Sequence, residues 1–348
     1  MKNIKKKSFL SGVTEAELKE FLEREGEASY RASQIFNWIY HKCVINPDEM
    51  KNIPKNLREK IKENFICNSS SVEAKESASD GTEKLLIRLS DGEAVEAVII
   101  PSPDRVTFCL STQVGCPVQC RFCASGRDGL IRNMTAGEIS EEFFIACAQI
   151  QRLPDNLVFM GIGEGLMNFA HLSRALEIIS SQEYVGLSGR RITVSTSGWP
   201  QGIRKLADLE RPFNLAVSLH AANDQTRARL IPDKFRRPIK DIIDACMYFK
   251  EKTGRIFTFE YTLIKGINDS MEDAIKLAEI ARNCGAKVNL IPYNDVGISF
   301  YARPSKETLL NFENTLKQRG AKVTLRIEKG SSVKAACGQL RAKGIPRN

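Results

Sequence analysis

A chain of 348 residues with 42% hydrophobic content can bury a full-sized core, which excludes a disordered or fibrous protein. Its 51 Lys and Arg against 42 Asp and Glu leave a formal charge of +9, which suits a polyanionic partner. Ten cysteines follow a basic start, Met1-Lys-Asn-Ile-Lys-Lys-Lys-Ser, that leads into no apolar leader, and no stretch is apolar enough to span a bilayer. The expected setting is the reducing cytoplasm, away from any membrane, where thiols serve metals or redox chemistry rather than a disulfide scaffold.

Apolar residues recur at helical spacing over Glu15–Glu23, Arg31–Cys43 and Leu57–Asn64, broken by Gly26 and by Asn46-Pro47. Residues 1–75 are therefore expected to form a small helical accessory domain. From Lys84 the period changes to two. Leu85-Leu-Ile-Arg-Leu89, a turn at Ser90-Asp-Gly92, and Val95-Glu-Ala-Val-Ile-Ile100 read as a β-hairpin, with Pro101 and Pro103 marking a linker, so that 76–104 form an extension. Alternation along this hairpin puts Glu96 on the solvent face.

Over 105–348, short apolar strands alternate with amphipathic helices: Val106–Leu110, Leu157–Met160, Ile192–Val194, Leu215–Leu219, Phe257–Leu263 and Val288–Ile291. The first helix is signalled by the capping box Thr135-Ala-Gly-Glu138 and by Ile139, Phe143, Ala146, Ile150 and Leu153 on one face, with Cys147 filling core beside them. The fold class is α/β, a partial (βα)6 barrel of TIM type. Sites in such folds gather at the carboxyl ends of the strands. There the chain carries Cys116–Cys123, Gly161–Glu164, Ser195–Gly198, Ser218–His220 and Asn294.

Cys116-Pro-Val-Gln-Cys120-Arg-Phe-Cys123 spaces three cysteines as CxxxCxxC, one ligand short of a four-thiolate iron–sulfur site. A cluster held so keeps one iron open to an exogenous ligand. The alternative is zinc on the Cys120–Cys123 knuckle, but the other seven cysteines are scattered singly and supply no second CxxC. Taken alone, Gly161-Ile-Gly-Glu-Gly165 is a weak glycine-rich turn, His220 is a strand-end histidine, and Cys109 and Cys337 are two cysteines among ten.

The triplet, with Phe122 before its last cysteine, resembles the radical S-adenosylmethionine superfamily. Phe108-Cys-Leu-Ser-Thr-Gln-Val-Gly-Cys116 through Cys123-Ala-Ser-Gly126, with Ala335-Ala-Cys-Gly-Gln-Leu340, resembles the RlmN/Cfr family of RNA adenine methyltransferases, and the likeness runs from Tyr30 to Leu340. It implies one [4Fe-4S] cluster on Cys116, Cys120 and Cys123, and S-adenosylmethionine, two per turnover, contacted by Gly163, Glu164, Ser195, Ser218, Leu219, His220 and Asn294. The family often has proline where this chain has Gly165.

The resemblance further implies a methyl carried on Cys337, because a ring C–H carbon of adenine is electrophilic and resists direct transfer from a sulfonium. An adenosyl radical takes hydrogen from methylated Cys337, the carbon radical adds to the ring, and Cys109 releases the RNA by forming a transient disulfide. Glu96 is the implied proton acceptor. The implied substrate is C2 of an adenosine in 23S rRNA, with tRNA as a second candidate. Flavodoxin or ferredoxin is the expected electron donor, and the chain is expected to act as a monomer.

Phosphate grip is expected from Arg190-Arg191, from Arg227, Arg229, Lys234, Arg236 and Arg237, and from Arg341 to Arg347. The rival within the family is methylation of C8, as in the Cfr branch, which confers antibiotic resistance. A rival of another class is a non-catalytic, zinc-stabilised RNA-binding module.

Overall fold

The computed structural model describes residues 7–298, 300–326 and 329–342. The first six residues of the basic start and the end of the Arg341–Arg347 cluster lie outside them.

The chain begins with a two-residue strand β1 (Ser8–Phe9), then α1 (Glu15–Arg24), α2 (Arg31–Phe36, continued by a π turn to His41), α3 (Lys55–Asn64) and β2 (Phe65–Ile66), which pairs with β1 in parallel. Thr14 caps α1 through a reciprocal box with Glu17. Leu18, Phe21, Ile35, Ile39, Leu57 and Ile61 are buried on the inner faces.

A ten-stranded sheet follows. Its antiparallel part is β3 (Ser71–Ser77), β4 (Glu83–Arg88) and β5 (Ala94–Ser102), the hairpin expected from sequence plus one further strand. Pro101 does not begin a linker. It closes β5, and Pro103 opens the turn into β6 (Arg105–Cys109), which pairs antiparallel with β5. The edge strand β3 is exposed along its whole length and carries Glu73, Lys75 and Glu76, charges that discourage edge-to-edge pairing.

From β6 the chain makes a small antiparallel pair, β7 (Gln113–Gly115) with β8 (Leu130–Asn133), and then repeats βα units. The order is α4 (Ala136–Ile150), β9 (Asn156–Phe159), α5 (Phe169–Ser180), β10 (Ile192–Thr196), α6 (Pro200–Asp208), β11 (Asn214–Ser218), α7 (Asp224–Leu230), α8 (Ile239–Thr253), β12 (Thr258–Leu263), α9 (Met271–Cys284), β13 (Lys287–Pro292), α10 (Lys306–Gln318) and β14 (Lys322–Leu325). The parallel strands stand in chain order, β6-β9-β10-β11-β12-β13-β14, as successive crossovers of one hand require.

All six expected strands are present, and β14 adds a seventh. The sheet stays open, with β3 and β14 at its edges. Thr135 and Glu138 form the capping box of α4, and Ile139, Phe143 and Ala146 are fully buried. The helix stops at Ile150 because Gln151 turns left-handed at φ 54°, so Leu153 meets the core from a loop.

The N-terminal helices join the same core. The Phe9 ring lies where a β-carbon on Gly137 of α4 would sit, Ser11 Oγ donates to Gly137 O at 3.0 Å, and the Tyr40 ring meets Tyr184 at 4.9 Å. Among the described residues no helix is long and apolar enough to cross a membrane.

Candidate functional site

The segments at the carboxyl ends of the parallel strands converge on a cavity of about 150 Å³ lined by Cys116, Cys120, Cys123, Gly163, Glu164, Ser195, Ser218, His220, Asn294 and Cys337. The three cysteines ride on the loop between β7 and β8. That loop is pinned by Cys116 N–H to Gly129 O (2.9 Å) and Cys123 N–H to Cys120 O (3.0 Å), and packs through Val118 and Phe122 on Leu230 and Ile231. Burial pushes the Cys116 thiol up to about 12 and raises Cys120 and Cys123, so these sulfurs ionise only against a bound cation. Among the described residues no three His, Cys, Asp or Glu side chains converge on a point that would hold a single metal ion. A four-iron cluster asks for a different arrangement, because each thiolate ligates its own iron.

Behind β9, Gly163 has φ +115°, and a β-carbon there would stand 2.8 Å from Gln113 Cβ and from Thr112 Oγ1. Only glycine fits this turn. It delivers Glu164, whose N–H donates to Gln113 Oε1 at 2.7 Å and whose carboxylate accepts from Ser197 N–H at 2.5 Å and Leu166 N–H at 3.3 Å. Burial raises the Glu164 pKa, opposed by Ser197 N–H.

His220, left-handed at φ 55°, accepts from Thr262 N–H on Nδ1 at 3.0 Å and meets the Phe122 ring edge-on at 4.8 Å. Desolvation, reinforced by the Arg227 charge, draws its pKa down to about 3. It is a neutral imidazole with its proton on Nε2. Leu219 is different: its side chain is wholly buried away from the cavity, and its backbone instead ties Glu260 O and the Arg227 guanidinium.

Asn294 donates from Nδ2 to Cys337 O at 3.1 Å, while its Oδ1 is buried without a partner. A spare buried acceptor on a cavity wall suits a ligand donor such as an ammonium or a hydroxyl. Cys337 also lines a second cavity of about 30 Å³, room for about one water, together with Cys109. Cys109 ends β6 opposite Val98, and burial pushes its thiol up to about 12.

Glu96 is not solvent-facing. Both faces of β5 are covered from Ala94 to Ile99, one by the helical core and the other by the segment carrying Ala335 and Leu340, so alternation carries no exposure signal. Glu96 lies 3.2 Å from Lys84 Nζ, its Oε2 has no partner, and burial raises its pKa against the Lys84 charge. It does not line the cavity of the three cysteines. It faces a larger cavity of about 700 Å³ that also takes in Lys84, Arg127, Lys334 and Arg341, on the other side of Gln339–Arg341.

Two wall residues escape the sequence reading. Glu260 is buried on β12 and accepts from Asn289 Nδ2 at 2.7 Å; Arg326, just past β14, lines both small cavities beside Cys337. The Cys337 sulfur, then Glu260 and Cys109, raises the Arg326 pKa. A charge inside the apolar run Phe257–Leu263 is the available signal for Glu260; for Arg326 there is none without β14. Arg227, grouped by sequence with the RNA-facing cations, is fully buried.

Two family models match the chain: the ribosomal RNA large subunit methyltransferase N-terminal domain over residues 9–67, and the radical SAM superfamily over 110–278. A probable dual-specificity RNA methyltransferase RlmN of Clostridium perfringens is 43% identical over 330 residues, 94% of this chain and 95% of its own. Its counterpart in Thermotoga maritima is 42% identical over 346 residues, 99% of each chain. A crystal structure of a radical SAM methyltransferase from Sphaerobacter thermophilus superposes with a TM-score of 0.92 at 41% identity, covering 97% of this chain and all of that one. Radical SAM proteins use a [4Fe-4S] cluster and S-adenosylmethionine, and the thiol triplet, the Gly163 turn and the spare Asn294 acceptor fit that pair of groups. The chain belongs to the RlmN family of radical SAM RNA methyltransferases.

Proposed function

We propose that this enzyme methylates C2 of an adenosine in the peptidyl-transferase centre of 23S rRNA, and an adenosine in tRNA as its second substrate, by way of a methyl group held on Cys337. The observation that carries the reading is the position of Cys337, on the wall shared by the cysteine-lined cavity and the small cavity of Cys109. The relatives' name, dual-specificity RNA methyltransferase, supports two RNA substrates.

When bound on Cys116, Cys120 and Cys123, the cluster and S-adenosylmethionine supply a one-electron bond cleavage and the methyl group. Gly163, Glu164, Ser195, Ser218, His220 and Asn294 orient the cofactor, and neutral His220 offers a donor without adding charge. The Cys337 sulfur would take the methyl of a first S-adenosylmethionine: the S–C bond to Cys337 forms as the methyl–sulfonium bond breaks, S-adenosylhomocysteine leaves and the thiol proton goes to solvent. That methyl would then give one hydrogen atom to the adenosyl radical from a second S-adenosylmethionine, and its carbon would bond the ring. Cys109 then attacks the Cys337 sulfur; an S–S bond forms, the S–C bond to the RNA breaks with its electron pair left on the product carbon, which takes up a proton, and the one surplus electron from the radical addition would return to the oxidised cluster. Glu96 accepts the proton from the modified ring carbon, and its unpartnered Oε2 is the acceptor atom. An external dithiol reduces the disulfide, and a flavodoxin or ferredoxin supplies the single electron.

The cavity lined by Lys84, Arg127, Lys334 and Arg341 is the entry for a base that has left its stack. A substrate of this kind places the working enzyme, as a monomer, in the cytoplasm. Mass analysis of nucleosides from defined 23S rRNA and tRNA treated with the reconstituted enzyme tests the reading. The expected product is 2-methyladenosine in both; 8-methyladenosine alone overturns it.

A further inference from the structure

Arg227, fully buried in α7, has no hydrogen-bonded carboxylate among the described residues. Instead its guanidinium donates to three carbonyls: Nε to Leu219 O at 3.2 Å, Nη1 to Arg237 O at 3.1 Å, and Nη2 to Ser197 O. Asp224, whose charge also reaches it, is exposed and commits Oδ1 to Ile239 N–H. Burying a guanidinium against neutral carbonyls alone is unfavourable, and desolvation draws the group down to about 10. Arg227 still remains charged at neutral pH.

The end of the same helix touches the cysteine loop. Leu230, which ends α7, and the following Ile231 pack on the cysteine loop with Val118 and Phe122, and Arg121 N–H donates to Leu230 O at 2.9 Å. Across this contact a thiolate at Cys120 would act on Arg227 and favour its cationic form. A [4Fe-4S] core with three cysteinates carries one net negative charge when oxidised and two when reduced.

We propose that Arg227 is a positioning residue of the cofactor site: it ties the loops after β10 and β11 together and supplies the buried positive charge that balances the reduced cluster. This rests on Cys116, Cys120 and Cys123 as the cluster ligands. The three-pronged grip sets Ser195–Ser197 and Ser218–His220 at a fixed spacing, which a point charge on a flexible stem cannot do. The charge acts separately, favouring the reduced state over the oxidised one and so raising the cluster's midpoint potential.

The two contributions separate in two variants of the anaerobically reconstituted holoenzyme, Arg227→Lys and Arg227→Met, compared by iron and sulfide content, EPR-monitored redox titration and S-adenosylmethionine binding. In Arg227→Met the ratio of reduced to oxidised cluster at a fixed potential falls at least about tenfold, which is 59 mV for a one-electron couple. Arg227→Lys keeps that ratio within about threefold of wild type, yet binds S-adenosylmethionine about tenfold more weakly, as Arg227→Met does, since both lack the fork that spans the loops. A wild-type potential in Arg227→Met overturns the proposal, as does loss of iron from both variants alike. Retention of iron by Arg227→Lys alone supports it. The ligand assignment fails on a different result, a full complement of iron in Cys120→Ala.

Discussion

Histidine 220 makes the cofactor wall sensitive to acid in a way that one substitution isolates. Its folded pKa is depressed from 6.5 to about 3, so below pH 6.5 the unfolded chain binds a proton that the folded chain refuses. The stability contributed by this group is therefore complete above pH 6.5 and is lost as pH falls towards 3. At pH 5.5 the unfolded imidazole is about ten parts protonated to one neutral while the folded one is neutral, which gives a loss of about 1.4 kcal/mol relative to pH 7.5. Asparagine is the apt replacement, because its Oδ1 takes over as acceptor for Thr262 N–H and its backbone tolerates the left-handed φ of 55°. His220→Asn loses the edge-on contact with Phe122 and is less stable at every pH by about 1–3 kcal/mol. It should lose about 1.4 kcal/mol less than wild type between pH 7.5 and 5.5. Urea unfolding of cluster-free protein at the two pH values measures this. Raised acids such as Glu142 and Glu260 act in both chains and cancel in the difference. An equal pH dependence in the two chains refutes the reasoning.

Cys109→Ala retains the methyl carrier but lacks the thiol that shares its small cavity, so it should accumulate protein covalently joined to RNA at Cys337, visible on a denaturing gel; clean turnover removes the role. Gly163→Ala places a β-carbon 2.8 Å from Gln113 Cβ in a left-handed turn and should weaken S-adenosylmethionine binding by at least about tenfold with the cluster intact, as read by equilibrium dialysis. Glu96→Gln removes the unpartnered acceptor without changing shape and should slow RNA methylation by about a hundredfold or more while cofactor affinity holds. An undiminished single-turnover rate would place the base elsewhere.

The six parallel strands were legible because each is a short apolar run between turn signals, and the thiol triplet because its spacing is nearly diagnostic. What escaped has physical reasons. Lys322–Leu325 alternates exposed and half-buried residues at a sheet edge, and Ser71–Ser77 is exposed throughout, so neither presents an apolar run. Glu96 misled because alternation predicts exposure only where one face of a strand meets solvent. Arg227 misled because a count of cations does not see carbonyls, and its three come from separate segments of the chain. Leu219 belongs to the cofactor motif by resemblance, yet its contribution is through the backbone.

The methyl carrier proposed at Cys337 needs its sulfur placed closely, and the cysteine loop itself holds the segment that bears it. Ala124 N–H donates to Gly338 O at 2.7 Å and Ser125 Oγ to Leu340 O at 2.6 Å, both from residues directly after Cys123. Asn294 Nδ2 donates to Cys337 O, and Gln339 Nε2 reaches Asp295 O at 2.9 Å, so the rim after β13 also grips the segment of Cys337. Outside, Arg341 closes a two-pronged pair on Asp128, at 2.8 and 2.9 Å, next to the same loop. Among the described residues from Lys329 to Ala342 the only regular element is the short turn Ser331–Val333, and the segment is held by the same loop that carries the three cysteines. Under the proposed reaction, any shift of the cysteine loop carries Cys337 with it, so the accepting sulfur would keep its place relative to the three cysteines whatever moves elsewhere in the sheet.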